Sequence, residues 1–509
     1  MTYNLHRLLF FIWAFFAMLS SGLNLAAQRY HPELEKQLDS LNLVFPFGVA
    51  SGDPTDSSVV LWSRLWLPKA DSVEVKLLIF ADSAETRLLQ EHTLFASKTE
   101  WWNLKTTIFC QENTTLYYRF ITGIHKSPLG RTKTAPTSLV PKLSFLVVSC
   151  SNYQWGYFNA YRSMTTEKEI AAVIHLGDYI YEYGATDYFE KKLPGRRHLP
   201  PHEIVSESDY QTRYAQYRLD PDLAELHRLF PFITIWDDHE IANDAYALGA
   251  QNHQDSAEGN WFVRKKTAQK TYFDWLPIRF DSNYKLRRSL SFGPLAEVFL
   301  ADQRLEARTE QRMPSNETKP DDAKRTILGN EQSSWLIQAL KKSSARWKII
   351  GNQVIFSSYS LPPSLISKIP KNGDSWIGYP YEREFLSREF HRLCKDSMLI
   401  VTGDAHASFG FVSRLDNSVP QSSFAREWVT PSVTSPNLDE YLAKWKVGYL
   451  RAQLKKKSLN PHVQYINLID HGYLRVDISA DNIQGTWKMI KTRLNPNPTI
   501  RKEYHISYH

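Results

Sequence analysis

Metal-type donors stand at the ends of apolar runs in four places along this chain of 509 residues. In AAVIHLGDYIYEY, Ala171 to Tyr183, a short apolar run breaks at Gly177 and is followed at once by Asp178. Such a run reads as a buried strand, and the carboxyl ends of strands are where open α/β sheets hold their ligands. Tyr181, three residues further on, can turn its phenol toward the same point. A carboxylate and a phenolate together suit a hard cation such as Fe(III), Mn, Ca or Mg. The plainer reading is a Gly-Asp turn beside tyrosines that pack. Three more runs end alike: SFLVVSC in Cys150, FPFITIWDDHE in Asp237, Asp238 and His239, and MLIVTGDAH in Asp404 and His406. Strands of a buried sheet seldom end repeatedly in groups this costly to desolvate unless a cation pairs them.

Each donor carries an alternative. Cys150 is a thiolate ligand or simply a small buried hydrophobe. Asp237 and Asp238 are neighbours, so in a strand they point to opposite faces and at most one meets an ion. His239 could bind metal, or could hydrogen-bond a phosphate oxygen or a leaving group. Asp404 and His406 are two apart, on the same side of an extended loop, and can meet one ion or two adjacent ions. Asn243, five residues beyond Asp238, could reach in from the first turn of a helix.

The elements that must position these groups change in texture along the chain. From about residue 43 to 137, segments such as SVVLWSRLWL, SVEVKLLIFA and TLYYRFITGI alternate or run apolar between turn residues. They predict a small antiparallel sandwich, an Ig-like or fibronectin-like all-β domain, followed by GRTKTAP as an extended linker. From residue 142 to 509 the pattern is α/β, with strands divided by helix-like stretches such as NYQWGYFNAYRSM. Its tail from Leu438 alternates a basic helix, YLAKWKVGYLRAQLKKK, with strands, and predicts a sheet edge and a surface helix that caps the site. The insertion around Arg196, Arg197 and His198 reads as a rim that steers anions, or as a solvated charge run. WIGYPY, Trp376 to Tyr381, walls the pocket or packs against neighbouring helices.

Composition narrows the class. A hydrophobic content of 42% suffices for globular packing, and the length exceeds one core, so two domains are expected. A net charge of +7 is spread along the chain, which favours anionic ligands weakly and gives no ground for nucleic-acid binding. Three cysteines do not make a disulfide scaffold. Residues 1–27 read as a general secretory signal: His6 and Arg7 precede LLFFIWAFFAML, and small residues lead to a cleavage point near Ala27. An uncleaved anchor is the alternative. Nothing later is apolar enough to span a bilayer, so the expectation is an exported monomer in the periplasm, at the cell surface or secreted.

Ten motifs, in order from about Phe45 to Asp477, carry a resemblance: SGDP, FLVVSC, GDYIYEYG, WDDHEIANDAY, DQR, RWKIIGNQV, GDSWIGYPYERE, VTGDAHASFG, EWVTPSVTSP and HGYLRVD. Together they resemble the PhoD-like alkaline phosphatase and phosphodiesterase family of the calcineurin-like metallophosphatases, which is related to the purple acid phosphatases. The resemblance implies an N-terminal β-sandwich and an αββα catalytic domain whose site holds Fe(III) with Ca²⁺ nearby. Cys150, Asp178 and Tyr181 look like the iron ligands, with Asp178 bridging, and Asp404 and His406 match the last metal motif. Asp238 falls where relatives place an Asn ligand, with His239 facing phosphate beside it; Asn243 is also matched. Arg304, in DQR, is a candidate phosphate clamp or a surface salt bridge. One departure is the missing twin-arginine signal. The expected function is hydrolysis of phosphate monoesters; the alternatives are phosphodiesterase or phospholipase D-like activity, and a surface binding protein with a vestigial metal site.

Overall fold

A computed structural model describes residues 29–508 apart from 188–192, 194, 280, 313–321 and 363–372. The targeting segment expected at residues 1–27 lies outside the described residues. Among those described, no helix is long and apolar enough to cross a membrane.

Two large mixed sheets face one another. The first has nine strands, in the order Ile500–Tyr508, Ile483–Ile490, Gly472–Ile478, Leu143–Val148, Ile170–His175, Pro231–Thr234, Val49–Gly52, Ser58–Arg64 and Asn103–Phe109. The second has seven, in the order Arg288–Phe292, Ala296–Leu300, Trp347–Asn352, Met398–Thr402, Ser423–Val429, Ser408–Arg414 and Val463–Asn467. Parallel pairing holds the middle of each sheet together, and these central strands are buried along their length. That burial explains their near-continuous apolar runs. The sheets interdigitate through aromatic side chains, Phe145 on Phe292 with ring centroids 4.9 Å apart and Trp428 on Trp487 at 5.9 Å. Gly485 lets Trp428 in, since a Cβ there would fall 2.8 Å from the indole. Helices Glu207–Arg218, Pro221–Leu229 and Trp261–Trp275 bring Tyr214, Leu226 and Trp275 into the core of the first sheet. Helices Gly329–Lys342 and Pro380–Leu393 cover the second sheet with Leu336, Leu340, Leu386 and Phe390. The architecture is thus helix, sheet, sheet, helix.

The early β segment is not separate from this framework. Val49–Gly52, Ser58–Arg64 and Asn103–Phe109 are strands of the nine-stranded sheet, and Val49–Gly52 runs parallel to Pro231–Thr234. Their other face packs Val59 and Leu61 against Leu77, Ile79 and Tyr118 of a five-stranded antiparallel sheet. GRTKTAP is not a linker: Gly130–Lys133 is a strand paired to Thr115–Thr122. Asp53 ties this segment to the second sheet, its buried carboxylate accepting from Arg288 Nε at 3.0 Å and Nη2 at 2.8 Å.

Candidate functional site

Four of the central parallel strands end on one side of the molecule, and the two sheets touch there. Ser149 forms a β-bridge to Ser432, and Thr430 Oγ1 donates to Val147 O at 3.0 Å. Past these strand ends the backbone turns sharply. Cys150, Asp178, Asp404 and His406 all adopt positive φ, at 62°, 55°, 59° and 46°. Left-handed backbone at non-glycine residues is costly and collects at functional sites. Asp404 and His406 therefore do not share one side of an extended loop, and they serve neighbouring groups of donors.

Three sets of donor atoms come within 4.8 Å of one another: Cys150 with Asp178 and His406, Asp178 with Asp238 and His239, and Asp237 with Asp238 and Asp404. Asp178 belongs to the first two sets and Asp238 to the last two, so the donors form one continuous row. Tyr181 joins it, its hydroxyl donating to Asp178 Oδ2 at 2.8 Å and lying 3.2 Å from His406 Nε2. Asp237 and Asp238 do not point to opposite faces. The strand ends at Thr234, the backbone is irregular beyond it, and both carboxylates reach the set with Asp404. Asn243 stands in a turn, not a helix; its side-chain amide donates to Gln251 Oε1 at 2.9 Å and its backbone N–H to Glu182 at 2.7 Å.

Arg304 is fully buried and is neither a surface residue nor an open clamp. It forks onto Asp374 at 2.5 and 2.9 Å, pairs with Asp237, and lies 3.4 Å from Asp238 and 3.8 Å from Asp404. Arg308 adds a second guanidinium to Asp374 at 2.6 Å. Arg196 and His198 are likewise buried, the former paired with Asp220 at 2.9 Å and set over Tyr153, so neither steers anions from a rim. Trp376 packs on Phe356 in the core of the second sheet.

Three supporting residues escaped the sequence reading. Glu182 is buried and accepts His239 Nδ1 at 2.7 Å. Glu240 accepts the backbone N–H groups of Asp178, Tyr179 and Asp237 at 2.9, 2.5 and 2.8 Å, so one carboxylate locks two strand ends together. Asp374 anchors both arginines. All three fall within motifs quoted above, and what hides them is that their partners are backbone groups or residues far away in sequence.

The electrostatics call for more positive charge than the side chains supply. Burial pushes Asp178 up to about 6, and burial with neighbouring carboxylates drives Asp237 and Asp404 well above the usual range. Asp238 is the exception: burial opposes its ionisation, but Arg304 and His239 hold it down to about 2. Burial lowers His406 to about 4, leaving a neutral imidazole with a free lone pair for a cation. Asp178 Oδ1, Asp237 Oδ2 and Asp238 Oδ1 are buried and take no hydrogen bond. Arg304 offsets part of the charge on Asp237 and Asp238, and buried carboxylate oxygens left without a hydrogen bond fit cation ligation, which offsets the rest of their desolvation. The row is also graded: sulfur, imidazole, phenol and carboxylate at the Cys150 end, and carboxylates alone at the Asp237–Asp404 end.

Facing mixed sheets that gather such donors at their common end define a fold shared with a purple acid phosphatase from yellow lupin seeds, at a TM-score of 0.53 and 12% identity over 90% of this chain and 73% of that one. The particular relationship is closer than that fold. A family model described as PhoD-like phosphatase matches residues 145–487, and one described as its N-terminal domain matches residues 32–136. The chain is 33% identical to alkaline phosphatase D of Bacillus subtilis (strain 168), over 97% of this chain and 85% of that protein. A solved structure of PhoD superposes with a TM-score of 0.81 at 31% identity, covering 91% of this chain and 90% of that one. The chain belongs to the PhoD-like phosphatase family, and it is a hydrolase acting on phosphoric esters.

Proposed function

We propose that this protein is an exported, metal-dependent phosphatase that hydrolyses phosphate monoesters by attack of water. The observation that carries this reading is the unbroken row of donors from Cys150 to Asp404, with three buried carboxylate oxygens that take no hydrogen bond. The relative's name, alkaline phosphatase D, supports monoesters as the substrate class. Cys150, Asp178, Tyr181 and His406 would hold Fe(III), and the carboxylates Asp237, Asp238 and Asp404 would suit the harder Ca²⁺. Such ions, when bound, supply charge for phosphoryl oxygens and lower the pKa of water. The N-terminal strands brace this centre by extending the nine-stranded sheet, and residues 1–27 direct export.

The remaining tasks fall to side chains. Glu182 fixes His239 Nδ1, so the other ring nitrogen is held toward the donor row, where it can give a proton to the departing alkoxide. Tyr181 stacks on His239 with ring centroids 4.2 Å apart and keeps the imidazole from swinging. Arg304 holds Asp237 and Asp374 in place and keeps the negative charge of the row from repelling an anionic substrate. Burial of the row excludes bulk water and strengthens each of these interactions.

The test compares p-nitrophenyl phosphate with bis-p-nitrophenyl phosphate, each with added Ca²⁺ and after chelation. Preference for the monoester, loss on chelation and recovery with metal are expected; a preference for the diester would reassign the substrate class. Asp178→Asn is expected to lower both bound metal and turnover, the latter by more than about 100-fold, because one carboxylate serves two neighbouring donor sets. Retention of a tenth of wild-type turnover would refute the bridging role.

A further inference from the structure

A cavity of about 670 Å³ lies behind the donor row, not over it. His471 is the partition: it lines the cavity, while its ring nitrogens meet Asn437 Nδ2 at 3.2 Å and Ser435 O at 3.0 Å. Ser435 in turn donates to the Tyr181 hydroxyl at 2.6 Å, so one layer of side chains separates the cavity from the catalytic row.

The walls are basic. Five lysine or arginine side chains and three carboxylates line the cavity, an excess of two positive charges. Two of the cations are already matched, Arg493 by Glu440 and Arg501 by Asp470. Lys444, Arg451 and Lys491 make no ion pair among the described residues, and Asp439 is the one lining carboxylate left to them. Arg451 Nε is buried without a hydrogen-bond partner. A buried guanidinium nitrogen with nothing to donate to is costly, and a planar fork of donors beside an ammonium is the usual recognition of an oxyanion. Thr492 and Asn467 add neutral groups, and the volume is that of a small-molecule site.

We propose that this cavity is a second anion site, which takes a small polyanion bearing phosphate-type or sulfate-type groups through Arg451, Lys444 and Lys491. The anion is a free solute, because the Ser435–His471 layer closes the cavity off from the donor row. The helix Lys444–Leu454 supplies two of the three cations and is held by Val447, Leu450 and Leu454 against the core around Phe409 and Val429, so its basic edge is preset.

The probe is myo-inositol hexakissulfate, which carries no phosphate ester to hydrolyse, titrated calorimetrically into the metal-saturated full chain. The double variant Arg451→Ala/Lys491→Ala is expected to bind about tenfold more weakly, the scale of losing charge-assisted contacts. A surface control, Lys341→Gln/Lys342→Gln, is expected to bind as wild type. Lys491→Ala alone keeps the test intact if the Arg451 substitution impairs folding. Turnover of p-nitrophenyl phosphate should survive in all of these variants. Binding without competition against p-nitrophenyl phosphate is expected; competition would place the probe on the donor row and overturn the proposal. Equal affinity in wild type and both Lys491 variants, or an equal loss in the surface control, would overturn the proposal while leaving the catalytic reading untouched.

Discussion

Glu182 is not itself one of the converging metal-type donors, yet three groups depend on it. It accepts His239 Nδ1, the Asn243 backbone N–H and Asn252 Nδ2, all within 2.9 Å, from a fully buried position. Burial opposes its charge, but the His239 imidazole and these hydrogen bonds keep it below the usual glutamate range. Glu182→Gln keeps the shape and removes the charge that orients His239. Turnover is expected to fall about 10–100-fold, as for other groups that orient a metal-site side chain, with bound metal unchanged. Elemental analysis beside kinetics checks this, and parallel loss of metal and turnover would move Glu182 from orienting His239 to building the cation site.

At the scale of elements, the turn after Ile170–His175 is a tight constraint beside the site. Gly177 has a φ of 101°, and a Cβ there would stand 2.4 Å from both the Cβ and the backbone nitrogen of Asp237. Glycine is required twice over, for its conformation and because one strand end passes directly against another. Gly177→Ala carries about 1–3 kcal/mol of backbone strain, and relief of the clash must push the Asp178 and Asp237 turns apart. Expected results are a lower urea midpoint together with lost metal binding; an unchanged midpoint with full activity would show that the two turns are not locked.

For the whole molecule, the decisive contact is the parallel pairing of Val49–Gly52 with Pro231–Thr234. Pro231–Thr234 leads to the Asp237–His239 turn, so the early segment covers what would otherwise be an exposed edge next to the site. A chain beginning at residue 142 would leave that edge and the Asp53 partners Arg279 and Arg288 open. Uncovered strand edges pair with other chains. That fragment is therefore expected to aggregate, and a soluble, cooperatively unfolding fragment with phosphatase activity would show that the catalytic framework is complete without the first strands.

Much of the centre was legible in the linear chain. Apolar runs that stop at a donor mark strand ends wherever a sheet is buried, because burial dictates the run and desolvation cost makes the donor conspicuous. Cys150, Asp178, Asp238, Asp404 and His406 were found on that signal, and all five converge. Other assignments depended on distances that no local pattern encodes. Whether Asp237 and Asp238 diverge depends on where the strand stops, and whether Arg304 faces solvent depends on Asp374, 70 residues away. Local sequence determined which groups are present and where each strand yields to a turn, since periodicity and turn chemistry act over a few residues. Tertiary structure alone decided which buried charges meet, because the free energy of a buried ion is set by its neighbours in space.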